Sequence, residues 1–256
     1  MIIDHNHRQY RALRNVAGGN KHNGAFYYSQ EIVRNIIPRV KTDRNWVTIK
    51  VPGKAFDHCI YFIHNNIHID TYDWLKDYDD VVLVCGVPET VDKVRHLGTP
   101  IYLPLSIDVA EVEAYKRTKT KDIAYVGRYS KRVNMPMWKI DCIEDMSRPK
   151  LLSHMAEYER VYAVGRCAIE AKCLGCEVLP FDPRYPDPEL WQVLDNADAA
   201  EILQKELDKI DGPFDETKGI RDFTEVGIGR NRLRENGTVS KAVQRGAKGN
   251  RRDGGK

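Results

Sequence analysis

Asp122-Ile123-Ala124-Tyr125-Val126-Gly127-Arg128-Tyr129-Ser130-Lys131-Arg132 is the stretch from which the rest of the chain can be read. Residues 123–126 are an apolar run of strand length that opens directly into a glycine and a cluster of cations. Ligands of open α/β sheets bind at the carboxyl ends of strands, and Arg128, Lys131 and Arg132 stand at such an end. An arginine fork beside a lysine point charge suits a diphosphate, although a loop of this composition can equally be a solvated basic turn.

On the carboxyl side of this stretch, further strands are expected over 140–143, 161–163 and 177–181, with helices over 149–158 and 165–174. Terminal helices are expected over 188–194, where Asp187 is the cap and Pro188 lies in the first turn, and over 199–210. On the amino side, strands over 1–4, 46–51, 59–63, 81–85 and 100–103 accompany helices over 29–37 (capped by Ser29) and 87–97. A charged connector, 111–121, separates the two series. Short apolar strands alternating with amphipathic segments are the pattern of βα units, so the class is α/β with parallel sheets. No repeat of fixed period interrupts it.

The composition agrees. The chain has 256 residues, 42% hydrophobic and 30% charged, which excludes wholesale disorder and allows one large domain or two small ones. Its apolar runs are far shorter than the roughly 20 residues of a membrane helix. The start, Met1-Ile2-Ile3-Asp4-His5, has no basic region or long apolar core, so a cytoplasmic protein is expected. Six cysteines sit mostly in apolar runs, where a thiol acts as a small buried hydrophobe. Cys173 and Cys176 have CxxC spacing but no second ligand pair, so no metal is expected. Charge is uneven: the net +3 divides into +6 over 216–256 and −3 over 1–215. Residues 241–256 are basic and Gly-rich with no aromatic, Leu or Ile, and read as a disordered tail that is either solvated or a nucleic-acid contact.

Two more segments bear on chemistry. Gly18-Gly19-Asn20-Lys21-His22-Asn23-Gly24 lies between the first strand and the helix expected from Ser29. Its glycines let backbone approach a sugar or phosphate, or simply form a surface turn. In 164–182, Gly165 opens a helix, Glu170 follows within it, and Gly175 closes it before the last strand. Glu170 there can accept two ribose hydroxyls, or favour the helix dipole as an early carboxylate.

Taken in order, these segments resemble the GT-B fold glycosyltransferases, especially the retaining group that uses nucleotide-diphosphate sugars. Residues 123–130 are similar to that family's strand and loop at the donor diphosphate, and 165–180 to its donor-ribose helix and strand. Residues 81–108 are similar to the end of its acceptor domain, and 60–64 to the strand that brings a histidine into the cleft. The resemblance covers roughly 15–210 and implies two Rossmann-like domains facing across a cleft, 1–110 on the acceptor side and a shortened donor domain over 111–215. A helical segment over 216–240 and the tail complete the chain.

The resemblance implies that Arg128, with Lys131, Arg132 and the amides at Gly165, holds the diphosphate of a nucleotide sugar such as a UDP-sugar. It implies Glu170 on the ribose, His64 on a sugar hydroxyl, and Gly18, Gly19 and Gly24 along the cleft. No cofactor or metal is implied, because protein cations and amides take the charge. Among His5, His7, His22, His64 and His68, His22 is the candidate base for the acceptor hydroxyl, with Asp4 a rival. The small size, shortened donor domain and basic tail are similar to phage enzymes that glycosylate modified DNA bases, which makes a modified DNA base one candidate acceptor.

Three departures accompany the match. Val133 stands where the family has a lysine, Tyr162 stands where it has the first of two acidic residues, and the interval from Gly127 to Glu170 is short. Val133 and Tyr162 favour the alternative of a non-catalytic nucleotide or nucleotide-sugar binding protein on a degenerate GT-B scaffold, and the short interval implies a pared-down donor domain. A Rossmann oxidoreductase is disfavoured, since no strand is followed by GxGxxG with a later acidic residue.

Overall fold

The central strands of the first half are apolar at every position because both of their faces are covered. In β3 (Cys59–Ile63), Ile60 and Phe62 face one hydrophobic cluster while Cys59, Tyr61 and Ile63 face another. The same alternation divides β4 (Val81–Cys85), with Val82 and Val84 on the first side and Val81, Leu83 and Cys85 on the second. Together with β1 (Ile2–Ile3), β2 (Asn45–Val47) and β5 (Thr99–Tyr102), they form a parallel five-stranded sheet in the order β1-β2-β3-β4-β5.

A second parallel sheet holds β6 (Lys121–Val126), β7 (Asp141–Ile143), β8 (Tyr158–Tyr162) and β9 (Glu177–Leu179), in the order β7-β6-β8-β9. The chain leaves β6 towards one neighbour and returns to the other, so the order reverses between β6 and β8. That reversal is the topological switch point at which α/β sheets bind ligands. The α/β class with parallel, Rossmann-like sheets is therefore as the sequence indicates. This computed structural model describes residues 1–16, 24–64, 68–128, 140–144, 146–180 and 182–215, all within one compact unit, Met1–Gly219. The helical segment expected over 216–240 and the tail over 241–256 lie outside the described residues.

The helices are α1 (Arg8–Val16), α2 (Gly24–Glu31), α3 (Pro88–Val94), α4 (Val109–Glu113), α5 (Arg148–Met155), α6 (Arg166–Cys173) and α7 (Asn196–Asp211). Several expectations are corrected. Ser29 is not a cap: the helix begins at Gly24, and Ser29 is buried inside it, with its hydroxyl 2.7 Å from that of Thr48. After Glu31 the helix widens into a π turn, Ile32–Ile36, and then tightens into a 3₁₀ turn, Ile37–Arg39, in which Pro38 has no amide to continue the ladder. The connector expected over 111–121 begins as α4, because Asp108 accepts a hydrogen bond from the Glu111 amide at 2.9 Å and Val112 has a buried place to fill. Residues 188–194 make only a 3₁₀ turn, Pro188–Leu190, and α1 intervenes between the first strand and the glycine segment.

Two segments link the sheets, and they run side by side. The Ile107 amide donates to the Leu194 carbonyl and the Asn196 amide donates to Ile107. Helix α7 then crosses back onto the first sheet, where Ala199, Ala200, Leu203 and Leu207 pack with Ile32, Ile36, Ile60 and Phe62.

Candidate functional site

At the switch point, the backbone after β6 turns through Gly127 at φ 155°. A Cβ there would come within 2.8 Å of the Tyr125 hydroxyl, which donates to the Arg128 carbonyl at 2.8 Å and so fixes the loop. Arg128 itself is exposed. After β8, Gly165 holds φ 61°, ψ −134°, a conformation essentially confined to glycine, and a Cβ there would meet nothing within 4 Å. Gly165 therefore leaves open space beside the first amides of α6, which have no partner within the helix. Switch-point loop, exposed arginine and helix start are thus combined at one sheet edge.

Beside them is a pocket of about 390 Å³ at the carboxyl ends of β8 and β9. Val164, Leu179, Pro180, Pro183, Tyr185 and Asp187 are among its walls. Burial raises the Tyr185 phenol above its ordinary range while the charges of Arg184 and Arg128 pull it down, which puts Arg128 near this wall. Asp182 is locked by Arg184, whose Nε and Nη2 donate to it at 2.9 and 2.5 Å, so its carboxylate is held below the usual range. The prolines supply carbonyl oxygens without amides, which makes this wall rigid and rich in acceptors.

Glu170, which the resemblance assigns to the donor ribose, lies in a buried network. Only 3% exposed, it accepts at one oxygen from Arg166 Nε at 2.7 Å and from Arg148 Nε at 3.0 Å. The structure thus gives it two guanidiniums as partners, in a buried network. Arg166 also donates to Glu31 at the end of α2, and Arg148 Nη1 donates to both oxygens of Glu111 at 2.7 and 2.8 Å. The second Glu31 oxygen accepts from Asn196 Nδ2 at 2.9 Å and from the Asp108 amide at 3.1 Å, one from each linking segment. Burial opposes charge on Arg166 and Arg148, but the surrounding carboxylates outweigh it and hold both firmly protonated.

His64 follows β3 and is partly buried, edge-on to Tyr28 with ring centroids 5.8 Å apart. Its Nε2 lies 2.6 Å from the Thr48 carbonyl, which can only accept, so Nε2 carries the proton and Nδ1 is the acceptor. Burial lowers its pKa and the hydrogen bond to Thr48 partly offsets this, leaving the ring neutral near pH 7. Gly24 is the first residue of α2. Asp4 is engaged locally, accepting from the Asn6 amide at 2.8 Å. His22, Gly18, Gly19, Lys131 and Arg132, with Val133, lie outside the described residues.

Sequence reading missed Glu31, Arg148 and Arg166. A signal was present: each arginine is the first residue of its helix, where the dipole disfavours a cation unless an anion is gathered there. The Pro-rich wall had a signal too, in prolines 180, 183, 186 and 188 directly after the last strand. Among the described residues no group of three or more His, Cys, Asp or Glu is arranged to hold a metal ion, and no helix is long and apolar enough to cross a membrane. No protein-family model matches this sequence, and no curated protein sequence matches it.

Proposed function

We propose that this chain is a glycosyltransferase of GT-B arrangement that moves a sugar from a nucleotide-diphosphate-sugar to an acceptor hydroxyl in the cytoplasm. The observation that carries the reading is the switch point between β6 and β8, where Arg128, the open space at Gly165 and the start of α6 stand beside a ligand-sized pocket. Transfer breaks the bond from the anomeric carbon to the diphosphate and forms one to the acceptor oxygen, so negative charge grows on the leaving diphosphate. Arg128 and the α6 amides stabilise that charge. Neutral His64 accepts a hydrogen bond from a sugar hydroxyl through Nδ1, and His22 is the base assigned to the acceptor.

The test is a thermal-shift screen against nucleoside diphosphates and nucleotide sugars, since a ligand at 100 times its Kd adds about 2.7 kcal/mol of stability. Stabilisation by one nucleotide family, lost in Arg128→Ala, is expected; no stabilisation by any of them overturns the reading. DNA is the proposed acceptor, on the strength of the basic residues over 241–256. Duplex binding should weaken steeply with salt and lose part of that slope when 241–256 are removed.

A second reading, a nucleotide-sugar binding protein without transfer, is favoured by Tyr162 in place of an acidic residue and by the engagement of Glu170 with two arginines. Donor binding with no turnover across acceptors would select it.

A further inference from the structure

Two eight-residue helices of the second sheet, α5 and α6, each begin with an arginine, and both arginines point to one carboxylate from outside that sheet. Arg166 donates to one Glu31 oxygen, and Arg148 Nη2 lies 3.2 Å from the same oxygen, close enough for charge attraction but out of line for a hydrogen bond. The other Glu31 oxygen is taken by Asn196 and Asp108. A neighbouring side chain of α2, Tyr27, accepts from the Arg148 amide at 3.4 Å. Thus α2 places acceptors against the start of α5 and the first side chain of α6.

The carboxylate does not match the donors around it. Arg166 Nη1 and Arg148 Nη2 are buried and have no hydrogen-bond acceptor, in side chains that are 6% and 10% exposed. A buried guanidinium N–H without an acceptor is costly, and a carboxylate has too few oxygens to meet these as well as Asn196 and Asp108. A tetrahedral phosphate presents more acceptor oxygens at the same place, where two helix N-termini already favour an anion.

We propose that Arg148 and Arg166 form an anion seat for a diphosphate, and that Glu31 occupies this seat as an internal stand-in which the diphosphate must displace. In this structure Glu31 ties α2 to both linking segments and to the starts of α5 and α6. When diphosphate takes the two arginines, Glu31 leaves and its bonds to Asn196 and the Asp108 amide break. Glu170 and Glu111 remain and keep the guanidiniums oriented. That the diphosphate belongs to a nucleotide sugar rests on the function proposed above; the seat itself does not.

The experiment is calorimetric titration of the full chain with inorganic diphosphate and with UDP, in wild type and in Glu31→Gln, Arg166→Met and Arg128→Ala. Glu31→Gln keeps the shape and removes the competing charge, so it should bind inorganic diphosphate at least tenfold more tightly, and Arg166→Met at least tenfold more weakly. Unchanged or weaker binding by folded Glu31→Gln, or no binding of diphosphate to it, overturns the seat. Should that variant fail to fold, hydrogen exchange on wild type decides: diphosphate should speed exchange of the Asp108 amide and slow that of Arg166. Diphosphate bound with the Asp108 amide unchanged overturns the proposal. UDP binding that depends on Arg128 but is indifferent to Glu31→Gln sinks the seat and leaves the donor reading standing. Tighter inorganic diphosphate without any binding of UDP does the reverse.

Discussion

Glu31, at the end of α2, accepts a hydrogen bond from Arg166, the first residue of α6, across 135 positions of sequence, and both residues are less than a tenth exposed. Neither charge would survive alone at such burial. Removing one partner of a buried pair costs about 3–5 kcal/mol, because the other is left charged and unpaired. Glu31→Ala and Arg166→Ala should each lose an amount in that range by chemical denaturation. The double variant should lose less than the sum, with a coupling of about 1–3 kcal/mol, and additive losses would show that the two residues act separately.

His58 gives the fold a pH dependence of one sign. It sits at φ 51° between Asp80, 2.6 Å from Nδ1, and Asp43, 2.9 Å from Nε2. Partial burial lowers its pKa, but the two carboxylates outweigh burial and raise it above 6.5. The folded state therefore binds the extra proton, and the stabilisation is complete below pH 6.5 and lost as pH rises through the folded value. With the side chain 40% exposed, solvent screening holds this to less than about 1 kcal/mol. His58→Gln should flatten the slope of stability on the alkaline side of pH 6.5, measured by denaturation across pH 6–9.

His64 has the opposite sign. Burial depresses its pKa below 6.5, so the unfolded chain takes up the proton first and stability falls as pH drops below that value. His64→Gln should remove this acid-side loss, and unchanged acid sensitivity would show the ring is not held neutral. For the proposed transfer, the same variant should lower the rate about tenfold, the value of a hydrogen bond of about 1.4 kcal/mol, with the affinity for the donor diphosphate unchanged.

Two glycines at the site should fail differently. Gly127→Ala drives a methyl to within 2.8 Å of the Tyr125 hydroxyl and should disturb its bond to Arg128, moving the loop. Gly165→Ala meets no atom within 4 Å, so its cost is backbone strain alone, about 1–3 kcal/mol. Nucleotide binding, under the proposed function, should weaken in both. A Gly165→Ala protein of unchanged stability would mean the φ of 61° is not required.

How much of this was legible beforehand differs by element. Strands β3 and β4 were readable to the residue, since a run of apolar positions buried on both faces leaves few other solutions. Gly127 with Arg128, and Gly165 with α6, were also placed correctly at strand ends, because glycine after an apolar run marks where a chain turns. The start of α2 is not legible, because its aromatic run Phe26, Tyr27 and Tyr28 does not resemble a helix start and Ser29, buried inside the helix, does. His58 has no local signal, since Asp43 and Asp80 come to it only when β2, β3 and β4 align at their amino ends.

The sequence by itself determined the α/β class, the parallel sheets and the glycine turns at the strand ends, because those follow from local periodicity and from residues a few positions apart. Only the tertiary structure decided the partners of Glu170, the reversal of strand order at β6, and the return of α7 to the first sheet. It alone brought Glu31, Asp108, Arg148, Arg166 and Asn196 to one point. Each of these polar residues looks like a solvated surface position in its own segment. They meet because two linking segments and the starts of two helices converge there, and a buried charge must find its opposite wherever the chain has put it.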